Sequence, residues 1–229
     1  MRERNYGQYC GLAYALDLIG ERWALLVVRD LLLGPKRLTD ISRGLPGIPS
    51  NVLSARLKQL DGDGIVARRI LPRPDGSIVY ELTSYGRELE GILLQLGLWG
   101  ARSLGVPRPG ESLTPIALML ALRASFQPAA AKSVKATFEL RLGDVVVHAR
   151  VDRGAIEVGE GHLPDAQLVL ESDPTLVEVL TGQVPMQQAI DRGGITASGD
   201  EALLESFTAL FRLPPPVTEA ELAHASPAA

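Results

Sequence analysis

RLTDISRGLPGIPSNVLSARLKQLDGDG, residues 37–64, reads as a short helix, a tight turn and a longer helix. In the first helix Leu38, Ile41 and Leu45 point one way, and Gly44, Pro46 and Gly47 then break it. The second helix starts near Pro49, because proline suits the first helical turn, where no amide partner is needed. Ser50 is close enough to help cap the open N–H groups. Leu53, Leu57 and Leu60 recur at helical spacing and form one apolar stripe. The opposite face carries Ser50, Asn51, Ser54, Ala55 and Lys58. Short side chains there let the backbone approach a base edge; Asn pairs with adenine through two hydrogen bonds, and Ser with several bases. Taken alone, the same pattern also describes an ordinary amphipathic helix with a solvated face.

The next residues of the chain separate the two readings. IVARRIL from Ile65 and IVYEL from Ile78 read as strands, joined by the loop Arg73-Pro74-Asp75-Gly76-Ser77. Helix, turn, helix and basic-tipped hairpin is the winged-helix arrangement: the second helix enters the major groove and the hairpin reaches the flanking backbone. Between positions 36 and 73, eight Lys and Arg face three Asp. Ser50, Asn51, Ser54 and Lys58 are therefore candidates for base or phosphate contact, and Arg37, Arg43 and Arg73 for gripping the backbone.

The 229-residue chain has room for one large or two small domains, and 46% apolar residues suffice for a packed core. No basic-then-apolar leader with a small-residue cleavage site opens it. No apolar run approaches the ~20 residues needed to cross a bilayer. A single cysteine excludes an internal disulfide and a multi-cysteine zinc site. A cytoplasmic protein without membrane contact is the simplest reading. Residues 1–105 hold 14 Lys and Arg against 11 Asp and Glu, whereas residues 106–229 hold 9 against 16. Only the first half is suited to a polyanion.

Met1 to Gln8 reads as a loose polar arm. Leu12, Leu16 and Ile19 mark a helix ending at Gly20. Glu21 to Leu33 reads as a second helix, apolar on nearly all sides around Trp23 and hence buried. Thr83 can cap a long helix from Ser84 to about Leu104, with Leu89, Ile92, Leu93, Leu96 and Trp99 on one side. That stripe either packs on a second copy of the chain or only closes its own domain.

Over residues 8–104 the chain resembles the HxlR-type family of bacterial winged helix-turn-helix regulators. The matching pieces are Cys10, ALDLIGERWALLVVRDLLLGPKRLTDI from Ala15, GIPSNVLSARLKQLDGDGIVARR from Gly47 and YELTSYGRELEGIL from Tyr80. The resemblance implies a homodimer on a pseudo-palindromic operator in double-stranded DNA. By position it puts Ser50, Asn51, Ser54 and Lys58 on the recognition helix and Arg73 on the wing. Gly11 and Pro49 depart from the common pattern, where proline and a capping serine are frequent. Pro49 leaves the register of base contacts open.

Residues 105–114 read as a linker. A helix from Ile116 to about Phe126 and strands over 137–142, 145–151, 155–158 and 167–170 come next. Helices to Leu180, from Pro185 to Asp191 and from Asp200 to Arg212 complete the unit, with a short strand at 195–197. The expected class is α+β: the winged-helix domain, then an antiparallel sheet with helices on one side. Over residues 115–213 this second unit resembles the sterol-carrier-protein-like fold, through FELRLGDVVVHARVDRGAIEV, PDAQLVLESDPTLVEVLTGQ and ITASGDEALLESFTALF. The resemblance implies an apolar cavity between sheet and helices, able to hold an apolar small-molecule effector; a filled core is the alternative. Residues 214–229 read as a disordered tail.

Asp61-Gly62-Asp63-Gly64 resembles the start of a calcium loop, but Ile65, Val66 and Ala67 supply no further ligands. His148, His162 and His224 have no metal-ligand spacing. No phosphate loop or Ser/His/Asp grouping is visible, so neither an enzyme nor a cofactor is expected. Cys10 is either a thiol sensor of oxidants or a small packed residue. The chain thus reads as a dimeric DNA-binding regulator; the rival is an apolar-ligand-binding protein whose winged helix serves only protein contacts.

Overall fold

The computed structural model describes residues 6–105, 107–173, 175–218 and 221. The start of the expected N-terminal arm and most of the expected tail lie outside the described residues. The chain packs as two compact units, Met1–Leu93 and Leu94–Ala229.

The first unit contains α1 (Gly11–Ile19), α2 (Ala24–Leu31), α3 (Leu38–Gly44), α4 (Ser50–Gly62), β1 (Val66–Ile70), β2 (Ile78–Leu82), α5 (Ser84–Arg87) and the start of α6 (Leu89–Ala101). Its core joins Val27, Val28 and Leu31 of α2 to Ile41 of α3 and Leu53, Leu57 and Leu60 of α4. The leucine stripe read from the sequence is therefore the buried face of α4. The helix expected over 21–33 is shorter, because Trp23 takes a left-handed conformation (φ 77°) and α2 begins after it. That turn places Trp23 against the core, half-buried. Asp30 is fully buried on α2 and is held by Arg29 at 2.8 Å; Arg29 also donates to Gly44 O, tying α2 to the end of α3.

β1 and β2 pair antiparallel from Val66↔Leu82 to Ile70↔Ile78. Lys36 adds a bridge to Tyr80 through two backbone hydrogen bonds of 2.9 and 2.8 Å. The residues just before α3 are thus bonded to the wing. Thr83 caps α5, accepting from Gly86 N–H at 3.0 Å and donating to Gly64 O at 2.6 Å. The long helix expected from Ser84 is interrupted at Glu88. Gly86 lies so close to the wing base that an added Cβ would stand 2.1 Å from Ile65 O. α5 is held there by backbone contact, and α6 continues separately.

The second unit contains the rest of α6, α7 (Pro115–Ser125), β3 (Lys135–Leu142), β4 (Val145–Asp152), β5 (Ala155–Glu160), β6 (Leu168–Ser172), α8 (Thr175–Leu180), α9 (Met186–Asp191), β7 (Ile195–Gly199) and α10 (Leu203–Leu210). Thr114 caps α7 through Ala117 N–H at 3.2 Å, with Pro115 at the first position. The sheet order is β5-β4-β3-β6-β7. Three pairings are antiparallel, as expected, but β3 and β6 run parallel, Phe138↔Leu168 to Leu142↔Ser172. Alternation within a strand fixes which face is buried, not which neighbour it meets or in which direction.

The covered face of the sheet is filled. Phe138 packs edge-on to Phe207 at 5.4 Å between ring centroids and to Phe211 at 6.0 Å, with Phe126 beside Phe211 at 5.9 Å. Among the described residues, these rings pack into the space between sheet and helices where the apolar cavity was expected. A cleft of about 740 Å³ lies instead among α8, α9 and α10, lined by Val179, Val184, Met186, Leu204, Thr208 and Arg212. The start of the expected tail is tied down: Val217 N–H donates to Arg102 O at 2.8 Å, and the Arg102 guanidinium to Pro215 O at 3.0 Å and to Glu221 at 2.7 Å. By packing, the two units divide within α6, between Leu93 and Leu94.

Candidate nucleic-acid interface

α4 begins at Ser50, with Pro49 as its N-cap and no side chain closing its first turn. Ser50 is therefore the first helical residue, not the cap. Leu53, Leu57 and Leu60 fix the rotation of the helix by burial, which leaves Ser50, Asn51, Ser54, Ala55 and Lys58 exposed together. Among the described residues, the side chains of Ser50, Asn51, Ser54 and Lys58 have no hydrogen-bond or ion-pair partner. A surface of small polar groups with one ammonium is thus left open to an external acceptor.

The arginines behave differently. Arg37, at the N-cap of α3, donates to both carboxylate oxygens of Asp75 at 2.7 and 3.0 Å, tying α3 to the loop of the wing. Arg43 is exposed and lies 3.7 Å from Asp40. Arg56 pairs with Glu21 at 3.0 Å, and Arg69 with Glu81 at 3.0 Å. Arg73, Arg68 and Lys36 have no ion pair among the described residues. The local cationic excess is thus smaller than the count over 36–73 suggests, since Asp75, Glu81 and Glu21 fall outside that window. Among the described residues, the free cations of this surface are Lys36, Lys58, Arg68 and Arg73, and the candidates Arg37 and Arg43 come already associated with carboxylates.

Sequence reasoning missed Asp75, Glu81 and Glu21 as partners. The Arg69–Glu81 pair was available from hairpin register, because Arg69 opposes Val79 and Glu81 lies two residues on. The Arg37–Asp75 pair spans 38 positions and depends on how the wing folds back.

Cys10 is exposed immediately before α1, outside the core. The backbone N–H groups of Ala13 and Leu12 draw its thiol below the ordinary value. On the open face of the second sheet, Glu139 accepts from Leu163 N–H at 2.6 Å, from Arg141 at 2.7 Å and faces His162 Nδ1 at 3.0 Å. This cluster pins the β5–β6 loop to the sheet. Among the described residues, no helix is long and apolar enough to cross a membrane.

Residues 18–106 match the model of the HxlR-like helix-turn-helix family, and residues 111–217 match the alkyl sulfatase C-terminal family. The helix-turn-helix-type transcriptional regulator YtcD of Bacillus subtilis is 36% identical over 89 residues, covering 39% of this chain and 71% of that protein. The regulator YvaP of the same organism is 39% identical over 85 residues, covering 37% and 79%. The reduced form of the B. subtilis transcriptional regulator YodB is 31% identical, covering 45% of this chain and all of that one, at a TM-score of 0.38. All three relatives cover less than half of this chain. YtcD and YvaP, each more than 30% identical and each matched over more than two thirds of its own length, together with the family model over residues 18–106, carry the assignment: the chain belongs to the HxlR-like helix-turn-helix family and is a DNA-binding transcriptional regulator.

Proposed function

We propose that two copies of the chain bind a pseudo-palindromic operator, each laying α4 in a major groove. Ser50 and Asn51, at the start of α4, face base edges; Ser54 and Lys58, further along, reach bases or phosphate. Arg73 on the wing contacts the flanking backbone, and Arg37 and Arg43 engage phosphates beside α3. The observation that carries this reading is the unpartnered strip on α4, exposed because the leucines behind it are buried. Two half-sites on one face of the duplex would lie about 34–36 Å apart or a multiple of this.

The second copy is supported by apolar side chains left in the open. On α6, Ile92, Leu96 and Trp99 are 61, 45 and 71% exposed at helical spacing. Leu12 and Tyr14 of α1 are exposed as well. Contiguous exposed apolar side chains of this kind mark an interface. The cleft among α8, α9 and α10 lies within the roughly 300–1,000 Å³ range of small-molecule sites. It supports a small-molecule effector bound by the second unit, among apolar (Val179, Met186, Leu204) and polar (Gln187, Glu205, Arg212) side chains. Cys10, exposed and with a lowered thiol, supports an additional response to oxidants or electrophiles. The reading involves no catalysis and goes with a cytoplasmic location.

The test is a salt titration of DNA affinity for the wild type, Lys58→Ala and Arg73→Ala. Each variant should bind all sequences more weakly and lose about one unit of the log K against log salt slope. An unchanged slope would remove that residue from the interface.

A further inference from the structure

We propose that Asp75 is a DNA-competed carboxylate: it holds Arg37 while the protein is free and yields it to a backbone phosphate when the wing docks. The inference rests on the proposed docking of α4 and the wing on DNA, and names a group that sets its strength. Arg37 stands at the start of α3, next to Lys36, which is bonded by its backbone to β2. Asp75 sits in the loop between β1 and β2. The two meet through a bidentate pair, with both Arg37 bonds made by one terminal nitrogen at 2.7 and 3.0 Å. A carboxylate offers a guanidinium two oxygens in one plane, as a phosphate does, so the two acceptors are interchangeable in chemistry and exclusive in space.

The exposure of the pair makes exchange possible. Arg37 is 51% and Asp75 40% exposed, so neither is locked in the core. A surface pair of this kind is weak enough to be displaced by a polyanion. Asp75 is also anchored on its own side, where its Oδ1 accepts from Ser77 N–H at 3.3 Å. Asp75 therefore stays with the loop when Arg37 leaves. The neighbouring carboxylate Asp40 is engaged elsewhere, near Arg43 at 3.7 Å and accepting from Arg37 N–H at 3.3 Å. The physical consequence is a protein that binds duplexes less tightly than its cations allow, with Asp75 as the restraint. Contacts good enough to displace it recover Arg37, and casual encounters do not.

The experiment uses the full chain and a fluorescently labelled duplex of mixed sequence, read by anisotropy across a salt series. Asp75→Asn keeps an oxygen for Ser77 N–H but loses the charge. It should tighten binding about fivefold, the strong end of what a surface ion pair is worth, and steepen the salt dependence. In an Arg37→Ala background the same change should give no gain. A gain that persists without Arg37 would mean plain repulsion by Asp75, and would overturn the exchange. Unchanged or weaker binding by Asp75→Asn, with its thermal midpoint intact, would mean that the pair only positions the wing, and would overturn it too. If the wild type shows no salt-sensitive binding while folded, the proposed docking on DNA itself fails, and this inference with it.

Discussion

Glu139 carries its charge at 2% exposure because three groups converge on it. Burial works to raise its carboxyl, but the Leu163 N–H, the His162 ring and the Arg141 guanidinium outweigh it and bring it down to about 2. A carboxyl that titrates lower folded than unfolded contributes stability above its unfolded value and loses it as pH falls. Here the loss runs from about 4.5, the ordinary value, down to about 2, and amounts to on the order of 3 kcal/mol. Glu139→Gln should lower the thermal midpoint at pH 7 and flatten its fall between about pH 5 and 2. An acid limb as steep as the wild type's would assign the loss to other carboxylates. At this scale the sequence shows residue types but not partners. Ser50, Asn51, Ser54 and Lys58 were legible because the leucines between them dictate which way they face. Arg37 was legible as a cation; its capture by Asp75 was not, because it depends on the path of a loop 38 positions away.

Elements were legible where periodicity decides them and less so where packing does. The wing and α4 appear where alternation and the leucine spacing put them. The division of the long helix into α5 and α6 has no local breaker at Glu88; next to it Gly86 lies against Ile65 O, a contact between segments that periodicity does not show. The exposed stripe of α6 carries the prediction at this scale. Leu96 is solvent-facing, so Leu96→Glu should cost the fold little, within about 0.5 kcal/mol for a surface change. It should nonetheless shift sedimentation from a dimer to a monomer and weaken binding to a duplex with two half-sites. A variant that sediments as the wild type would place the dimer contact elsewhere.

For the whole molecule, the charge division seen in the sequence is the most consequential feature. Residues 1–105 carry 14 cationic and 11 acidic side chains, and residues 106–229 carry 9 and 16. The acidic half should therefore oppose DNA over the screening length, about 10 Å at 0.1 M salt and 3 Å at 1 M. A fragment of residues 1–105, which contains the whole core around Leu31 and Leu57, should bind a mixed-sequence duplex more tightly than the full chain at low salt. The difference should fade as salt rises; equal binding at low salt would show that the acidic half does not reach the DNA. Topology was the part that the sequence hid: alternation predicted the strands and their buried sides, but the parallel pairing of β3 with β6 is a choice between distant partners.

Among the described residues, the order of the second sheet leaves β5 and β7 with one unpaired border each. β7 is five residues long and ends at Gly199, and β5 carries Glu157 and Glu160. A stranger's strand adding to β5 would meet Glu157 on one face and Glu160 on the other, and one adding to β7 would find few residues to pair with. Both borders are therefore poor templates for edge-to-edge stacking.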